Sequence, residues 1–140
     1  MNKGNKLKKL NRPAHQRVSM MRNLAKSLIQ NESIVTTQAR GKVLSGYFDK
    51  LVSMAKKESI TPESVRRQLI SELGTGADTE RSVDKLTKVL VGKLQFTNSG
   101  YCQKHLLEKR SGDNSQTMRV NINFKAETKE PVKGKEVKKK

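Results

Sequence analysis

Apolar residues recur at steps of three and four along most of the chain, and at steps of two near its end. The first spacing places side chains on one face of an α-helix, and it predicts four amphipathic helices. Their apolar positions are Val18, Met21, Leu24, Ala25 and Leu28 in the first; Val43, Leu44, Tyr47, Phe48, Leu51, Met54 and Ala55 in the second; Val65, Leu69, Ile70 and Leu73 in the third; and Val83, Leu86, Val89, Leu90 and Leu94 in the fourth.

Residues with strong local preferences mark where these helices begin and end. Pro13 suits the first turn of the first helix, which should end near Gln30, and Gly74 should stop the third. The hydroxyl and carboxylate side chains suited to cap the other helices are Thr36 or Thr37, Thr61, and Asp78 or Thr79. Gly41 and Gly46 each weaken the second helix by about 1 kcal/mol relative to Ala, so they predict close packing against another backbone.

The second spacing predicts β-structure. Met118, Val120, Ile122 and Phe124 alternate with polar residues, and 101–109 is the natural partner strand across a turn at 111–114. Four consecutive β-branched residues, 34–37, predict a short strand after the first helix. The expected fold is therefore two-layer α+β in the order α-β-α-α-α-β-β, with a basic arm at 1–12, one domain over 13–125 and a disordered lysine-rich tail at 126–140.

The distribution of charge indicates what kind of partner the chain binds. Thirty Lys and Arg residues against thirteen Asp and Glu give a net charge of +17. Eight of the basic residues occur between Lys3 and Lys26, before Glu32, which is the first acidic residue. A field of one sign repels itself and destabilises a compact state, so this stretch favours a phosphate-bearing partner.

Residues for other chemistry are sparse. Cys102 and His105 lie three apart on a predicted strand, which starts their side chains on opposite faces, and neither has neighbours at metal-ligand spacing. No apolar run approaches the roughly 18 residues that cross a bilayer. We therefore expect no catalytic, metal or cofactor site. The composition alone leaves three alternatives: a free nucleic-acid binder such as a DNA-bending protein, an enzyme acting on RNA, and a protein attached to a membrane surface by its lysine tail.

Two groups of motifs resemble the bacterial-type ribosomal protein L17 family of the large ribosomal subunit. The first is a lysine-leucine-asparagine-arginine run followed by an arginine, an arginine-asparagine pair and paired threonines, here Lys9 to Arg12, Arg17, Arg22 with Asn23, and Thr36 with Thr37. The second is a glycine-tyrosine step before a strand and a turn before the last strand, here Gly100 with Tyr101, and Arg110, Gly112, Asp113 and Asn114.

The resemblance covers residues 6–125 and implies the same order of elements. It implies a structural, non-catalytic constituent of the large subunit in the cytoplasm or an organelle, which binds large-subunit rRNA near the polypeptide exit tunnel beside neighbouring ribosomal proteins, without membrane or small-molecule partners. Taken with the basic stretch, it implies RNA contacts at fourteen residues. They are Lys6, Lys8, Lys9, Asn11, Arg12, His15, Arg17, Arg22, Asn23, Lys26, Thr37, Arg40, Lys104 and Arg110.

Overall fold

Helices and strands follow one another in the order that the hydrophobic pattern predicts. The structure, a computed structural model of the chain, describes residues 8–57, 61–94 and 99–124. Its helices are α1 (Ala14–Asn31), α2 (Gln38–Ala55), α3 (Pro62–Leu73) and α4 (Ala77–Lys85), the last continued by a π-helical segment (Leu86–Leu90) and a final turn, α5 (Val91–Lys93). Its strands are β1 (Ser33–Thr37), β2 (Cys102–Lys109) and β3 (Gln116–Ile122). The tail predicted for 126–140 and the arm up to residue 7 lie outside the described residues.

The three strands form one antiparallel sheet in the order β1-β3-β2. The hairpin between β2 and β3 is the one that the turn residues predict, and its ends are joined by the Arg110 N–H, which donates to the Ser115 carbonyl at 3.0 Å. On β3 the side chains of Met118, Val120 and Ile122 are buried, as the alternation predicts. The pairing of β1 with β3 is an addition to that prediction, since it joins segments some 85 residues apart in sequence, from Ser33 paired with Asn121 to Thr37 paired with Thr117.

Helix α2 is the element around which the others pack. It contacts all three strands as well as α1, α3 and the π-helical segment. Because it is covered on so many sides, its apolar face is fully buried at Leu44, Phe48, Leu51 and Val52. Its Asp49 also accepts a hydrogen bond from the backbone N–H of Tyr101 at 3.1 Å, which fixes the chain where it enters β2.

The two glycines of α2 differ sharply in their surroundings. A Cβ atom at Gly41 would lie 2.7 Å from the Sδ atom of Met118 and 3.2 Å from Cγ2 of Val120, both on β3. Close packing is thus found at Gly41, but the neighbours are side chains of β3 and not the backbone that was predicted. The prediction is wrong at Gly46, where a Cβ would meet no other atom within 4 Å.

The π-helical segment explains one error in the predicted core. Val89 was expected to face inward, but 41% of its surface is exposed. A π-turn holds more residues than an α-turn, so the buried face passes through positions four apart, at Leu86, Leu90 and Leu94. The Thr87 hydroxyl donates to the Val83 carbonyl at 2.9 Å, which occupies a backbone acceptor in the preceding turn.

Most helices begin where the sequence predicts, but the predicted side-chain caps do not form. Thr37 and Thr61 are the N-cap residues of α2 and α3, yet neither side chain makes a capping hydrogen bond. Pro13 is the N-cap of α1 and precedes its first turn by one residue. The expectation that Asp78 or Thr79 caps α4 is wrong, because the N-cap is Gly76, whose carbonyl accepts the Thr79 N–H at 2.9 Å.

Arg22 ties α1 to the end of α3. Its Nε donates to the carbonyl of Glu72 at 2.7 Å, and its Nη2 donates to the carbonyl of Ser71 at 3.1 Å. The Tyr47 hydroxyl of α2 donates to the same Glu72 carbonyl at 3.0 Å. The last carbonyls of a helix lack partners within it, so one guanidinium and one phenol here satisfy them and link three helices.

We predict opposite effects for the two glycine replacements in α2. Gly46→Ala should raise the free energy of unfolding by about 0.5–1 kcal/mol, since it removes only the helix cost of glycine. Gly41→Ala gains the same term but forces Met118 to move, so it should be less stable than Gly46→Ala by about 1–3 kcal/mol. Urea unfolding followed by circular dichroism measures both, and equal stabilisation would contradict the packing described at Gly41.

We also predict that Arg22→Ala lowers the free energy of unfolding by about 1.5–3 kcal/mol, because it removes charged hydrogen bonds to two helix-terminal carbonyls. Arg12→Ala is the matched control, and it should change stability by no more than about 0.5 kcal/mol, as is usual for an exposed side chain. Urea denaturation of the two variants makes the comparison. Equal losses would mean that the link between α1 and α3 contributes nothing specific.

Candidate nucleic-acid interface

A short turn places the basic residues before α1 against the helix. The Arg12 N–H donates to the Lys9 carbonyl at 3.2 Å, and the two residues between them, Leu10 and Asn11, have left-handed backbone angles, with φ of 55° and 52°. Nη1 of Arg17, one turn into the helix, donates to the carbonyls of Arg12 at 3.2 Å and Lys9 at 3.4 Å. The Arg17 side chain therefore holds the basic turn in a defined position.

This end of the molecule carries positive charge without a neighbouring acid. In the described part of the chain, no carboxylate lies within 4 Å of its cations, which are Lys8, Lys9, Arg12 and Arg17. The first turn of α1 also contains no acidic residue, and its N-cap, Pro13, makes no side-chain hydrogen bond. The positive end of the helix dipole adds to the cations, so the local field favours an anion.

The start of α2 has the same character. Its first turn has no acidic residue and contains Arg40, and the hydroxyl of Thr37 makes no capping bond there. By contrast, Glu63 and Asp78 lie in the first turns of α3 and α4. The first half of α1 and residues 42–47 of α2 border one cleft, so the segments that follow the two acid-free helix starts lie beside the same space.

The remaining predicted contact residues are spread over the surface. Lys6 lies outside the described residues, and the side chains of Asn11, His15 and Asn23 are exposed along the start and outer side of α1. Lys104 lies on β2, where its Nζ is 3.5 Å from the Ser45 hydroxyl of α2. The structure thus brings together the predicted residues of the turn and the start of α1, whereas Thr37 and Arg40 lie at the start of α2 and Lys104 and Arg110 belong to the hairpin.

Besides Arg17 and Lys104, three more of the predicted cations have partners within the chain. Arg22 binds the end of α3, and Lys26 donates to the Thr79 hydroxyl at 3.4 Å. Arg110 forms an ion pair with Asp113 across the hairpin turn, and its hydrogen bonds hold the pKa of that carboxyl well below its usual range. Their roles in RNA contact stay predictions, but each side chain already contributes to the fold.

Two cations absent from the predicted set lie on open surfaces. Lys42 of α2 borders the cleft between α1 and α2. Arg119 points to the side of the sheet opposite the helices, because its neighbours Met118 and Val120 are buried. It pairs across the strands with Val35 and His105, both exposed. The alternation along β3 could have predicted that Arg119 is exposed on the open side of the sheet. The position of Lys42 beside the cleft could not be predicted in this way, because it depends on how α1 and α2 pack.

The cysteine and the β2 histidine do not form a reactive pair. Cys102 lies on the covered side of the sheet, where burial raises the pKa of its thiol to about 12, so the thiol stays protonated at neutral pH. His105 is exposed on the other side. Within 8–57, 61–94 and 99–124, no cluster of side chains could hold a metal ion, and none of the helices there has the length and apolar run of a membrane span.

Comparisons with known proteins agree with the motifs. The model of the family "Ribosomal protein L17" matches residues 20–123. Proteins named "Large ribosomal subunit protein bL17" are similar to this chain. The one from Fervidobacterium nodosum is 35% identical over 84% of this chain and 94% of its own length. The one from Thermotoga maritima is 34% identical over 81% and 88%, and the one from Hyphomonas neptunium 38% over 77% and 72%. The chain therefore belongs to the ribosomal protein L17 family.

Proposed function

We propose that this protein is a structural constituent of the large ribosomal subunit, which binds large-subunit rRNA through the basic turn before α1 and the starts of α1 and α2. The observation that carries the proposal is the acid-free cluster of Lys8, Lys9, Arg12 and Arg17 at a helix N-terminus. The name of the relatives supports the part of the proposal that concerns the large subunit, because it assigns those proteins to that subunit.

The physical basis is the exchange of condensed counterions on RNA for protein cations. Each phosphate contact made by Lys or Arg releases counterions, so binding weakens as salt concentration rises. In the free protein the four cations repel one another, and phosphates placed among them would relieve that repulsion. Backbone N–H groups at the acid-free starts of α1 and α2 would contribute further donors to phosphate oxygens.

Position near the polypeptide exit tunnel, contacts with neighbouring ribosomal proteins and support of subunit assembly and translation are further parts of the proposal. They rest on the family resemblance of the motifs in the first helix and the hairpin. A purely structural role fits the chemistry, because Cys102 is buried and protonated and His105 lies on the other side of the sheet. Rigid helices that present cations to RNA need no reactive group.

A salt titration of rRNA binding tests the proposal. The variant Lys9→Gln with Arg12→Gln removes two cations from the turn but keeps the backbone carbonyls to which Arg17 donates. If both side chains contact phosphates, the slope of log affinity against log salt should fall by about 1.4–1.8, from about 0.7–0.9 per contact. Filter binding of large-subunit rRNA at several salt concentrations gives the slope.

The matched control is Lys88→Gln with Lys93→Gln, which removes the same charge from exposed positions in the π-helical segment and α5. It should leave the slope within experimental error of the unaltered protein. Equal decreases in the two double variants would contradict the proposal, because they would mean that net charge alone attracts RNA and that the turn is not a defined contact.

A further inference from the structure

An open cleft lies between the first halves of α1 and α2 and reaches the end of α3. Its volume is about 550 Å³. Most of the wall is apolar, and it includes the half-buried ring of Tyr47, whose hydroxyl is held by the Glu72 carbonyl at 3.0 Å. The apolar and aromatic lining residues are Val18, Met21, Val43 and Tyr47, and Gly46 completes that wall.

The rim of the cleft is positively charged. Lys8, Arg17 and Lys42 border it, and Glu72 is its one acidic lining residue in the described part of the chain. The Glu72 carboxylate is already paired with Lys50 at 2.6 Å. The cleft therefore combines an apolar wall with cations whose charge no carboxylate of the lining neutralises.

Gly46 keeps the cleft open along α2. At Gly41 a Cβ would meet Met118, but around a Cβ at Gly46 the described chain places no atom within 4 Å. Because Gly46 lines the cleft, a larger side chain at this position would project into the open space. The position therefore allows the cleft to be filled by substitution without a clash against the rest of the fold.

We infer that the cleft receives an unpaired nucleobase of the bound RNA, with the flanking phosphates on Lys8, Arg17 and Lys42. The inference deepens the proposed function and rests on it. A nucleotide joins a flat, weakly polar ring to a phosphate anion, and this combination matches an apolar wall with a cationic rim. The Tyr47 ring supplies an aromatic surface against which a base packs. An apolar protein segment would match the wall but leave the charge of the three rim cations without an anion.

The variants Gly46→Leu and Gly46→Ala separate occupation of the cleft from helix stability. Both remove the glycine from the helix, but only leucine fills the space beside Tyr47. Circular dichroism and urea unfolding should show both to be folded and at least as stable as the unaltered protein. Their binding is then measured against large-subunit rRNA and against two probes of equal charge, an eight-nucleotide RNA of random sequence and an abasic strand of the same length.

The unaltered protein and Gly46→Ala should bind the random RNA about tenfold more tightly than the abasic strand, the effect of one stacked base. Gly46→Leu should bind both probes equally and keep the salt slope on rRNA, since its cations are unchanged. If Gly46→Leu retains the preference, or if no protein shows one, the inference is overturned while rRNA binding stands. Failure of the unaltered protein to bind large-subunit rRNA would instead refute the proposed function.

Crosslinking of isolated large subunits that contain this protein shows whether the cleft holds a nucleotide or a segment of another protein. Irradiation at 254 nm followed by mass spectrometry should find a nucleotide attached to a peptide of the cleft, at Tyr47 or beside it. The same subunits are also treated with a lysine-reactive crosslinker, which joins neighbouring proteins. A cleft peptide joined to another ribosomal protein by that reagent, without a nucleotide adduct after irradiation, would overturn the inference and assign the cleft to protein contact.

Discussion

The packing of α2 on the sheet is the contact on which the rest of the structure depends. The helix touches every strand, and it lies so close to β3 that glycine is needed opposite Met118. Within the described residues only one side of the sheet is covered, since the helices bury Met118 and Val120 and leave Arg119 between them on the open side. The apolar interior therefore lies between one layer of helices and one face of a sheet, and the polar faces of both layers remain available for partners.

Some of the basic side chains stabilise the fold, and others face solvent without a carboxylate partner in the described part of the chain. Arg22 closes the end of α3, and Lys50 and Lys85 pair with carboxylates at 2.6 and 2.9 Å. The cations of the turn before α1 have no such partner in the described part of the chain, and the helix they precede begins without an acid or a side-chain cap. A group of like charges costs free energy in the isolated protein, and phosphate would offset that cost. The fold thus leaves unneutralised charge at the surface that we propose binds RNA.

Local patterns were enough to predict the elements, because apolar spacing and residues such as Gly74 act within a few positions. They were not enough where distant segments meet. The partner of Arg22 lies 50 residues away, so nothing near it in sequence showed that its guanidinium closes another helix. The π-helical segment shifted the buried face past Val89, since periodicity assumes a constant turn. The cleft could not be predicted for the same reason, because its lining residues come from α1 and α2 and no local pattern shows that these helices lie side by side.

The most direct test of the account is the sedimentation of this protein from a cell lysate through a sucrose gradient at moderate and at high salt. A constituent held by phosphate contacts on a preformed surface should travel with the large subunit at moderate salt. It should be released progressively at high salt, because counterions then compete with its Lys and Arg side chains. A protein that stays at the top of the gradient at moderate salt, or that follows DNA, would contradict a role in the large subunit.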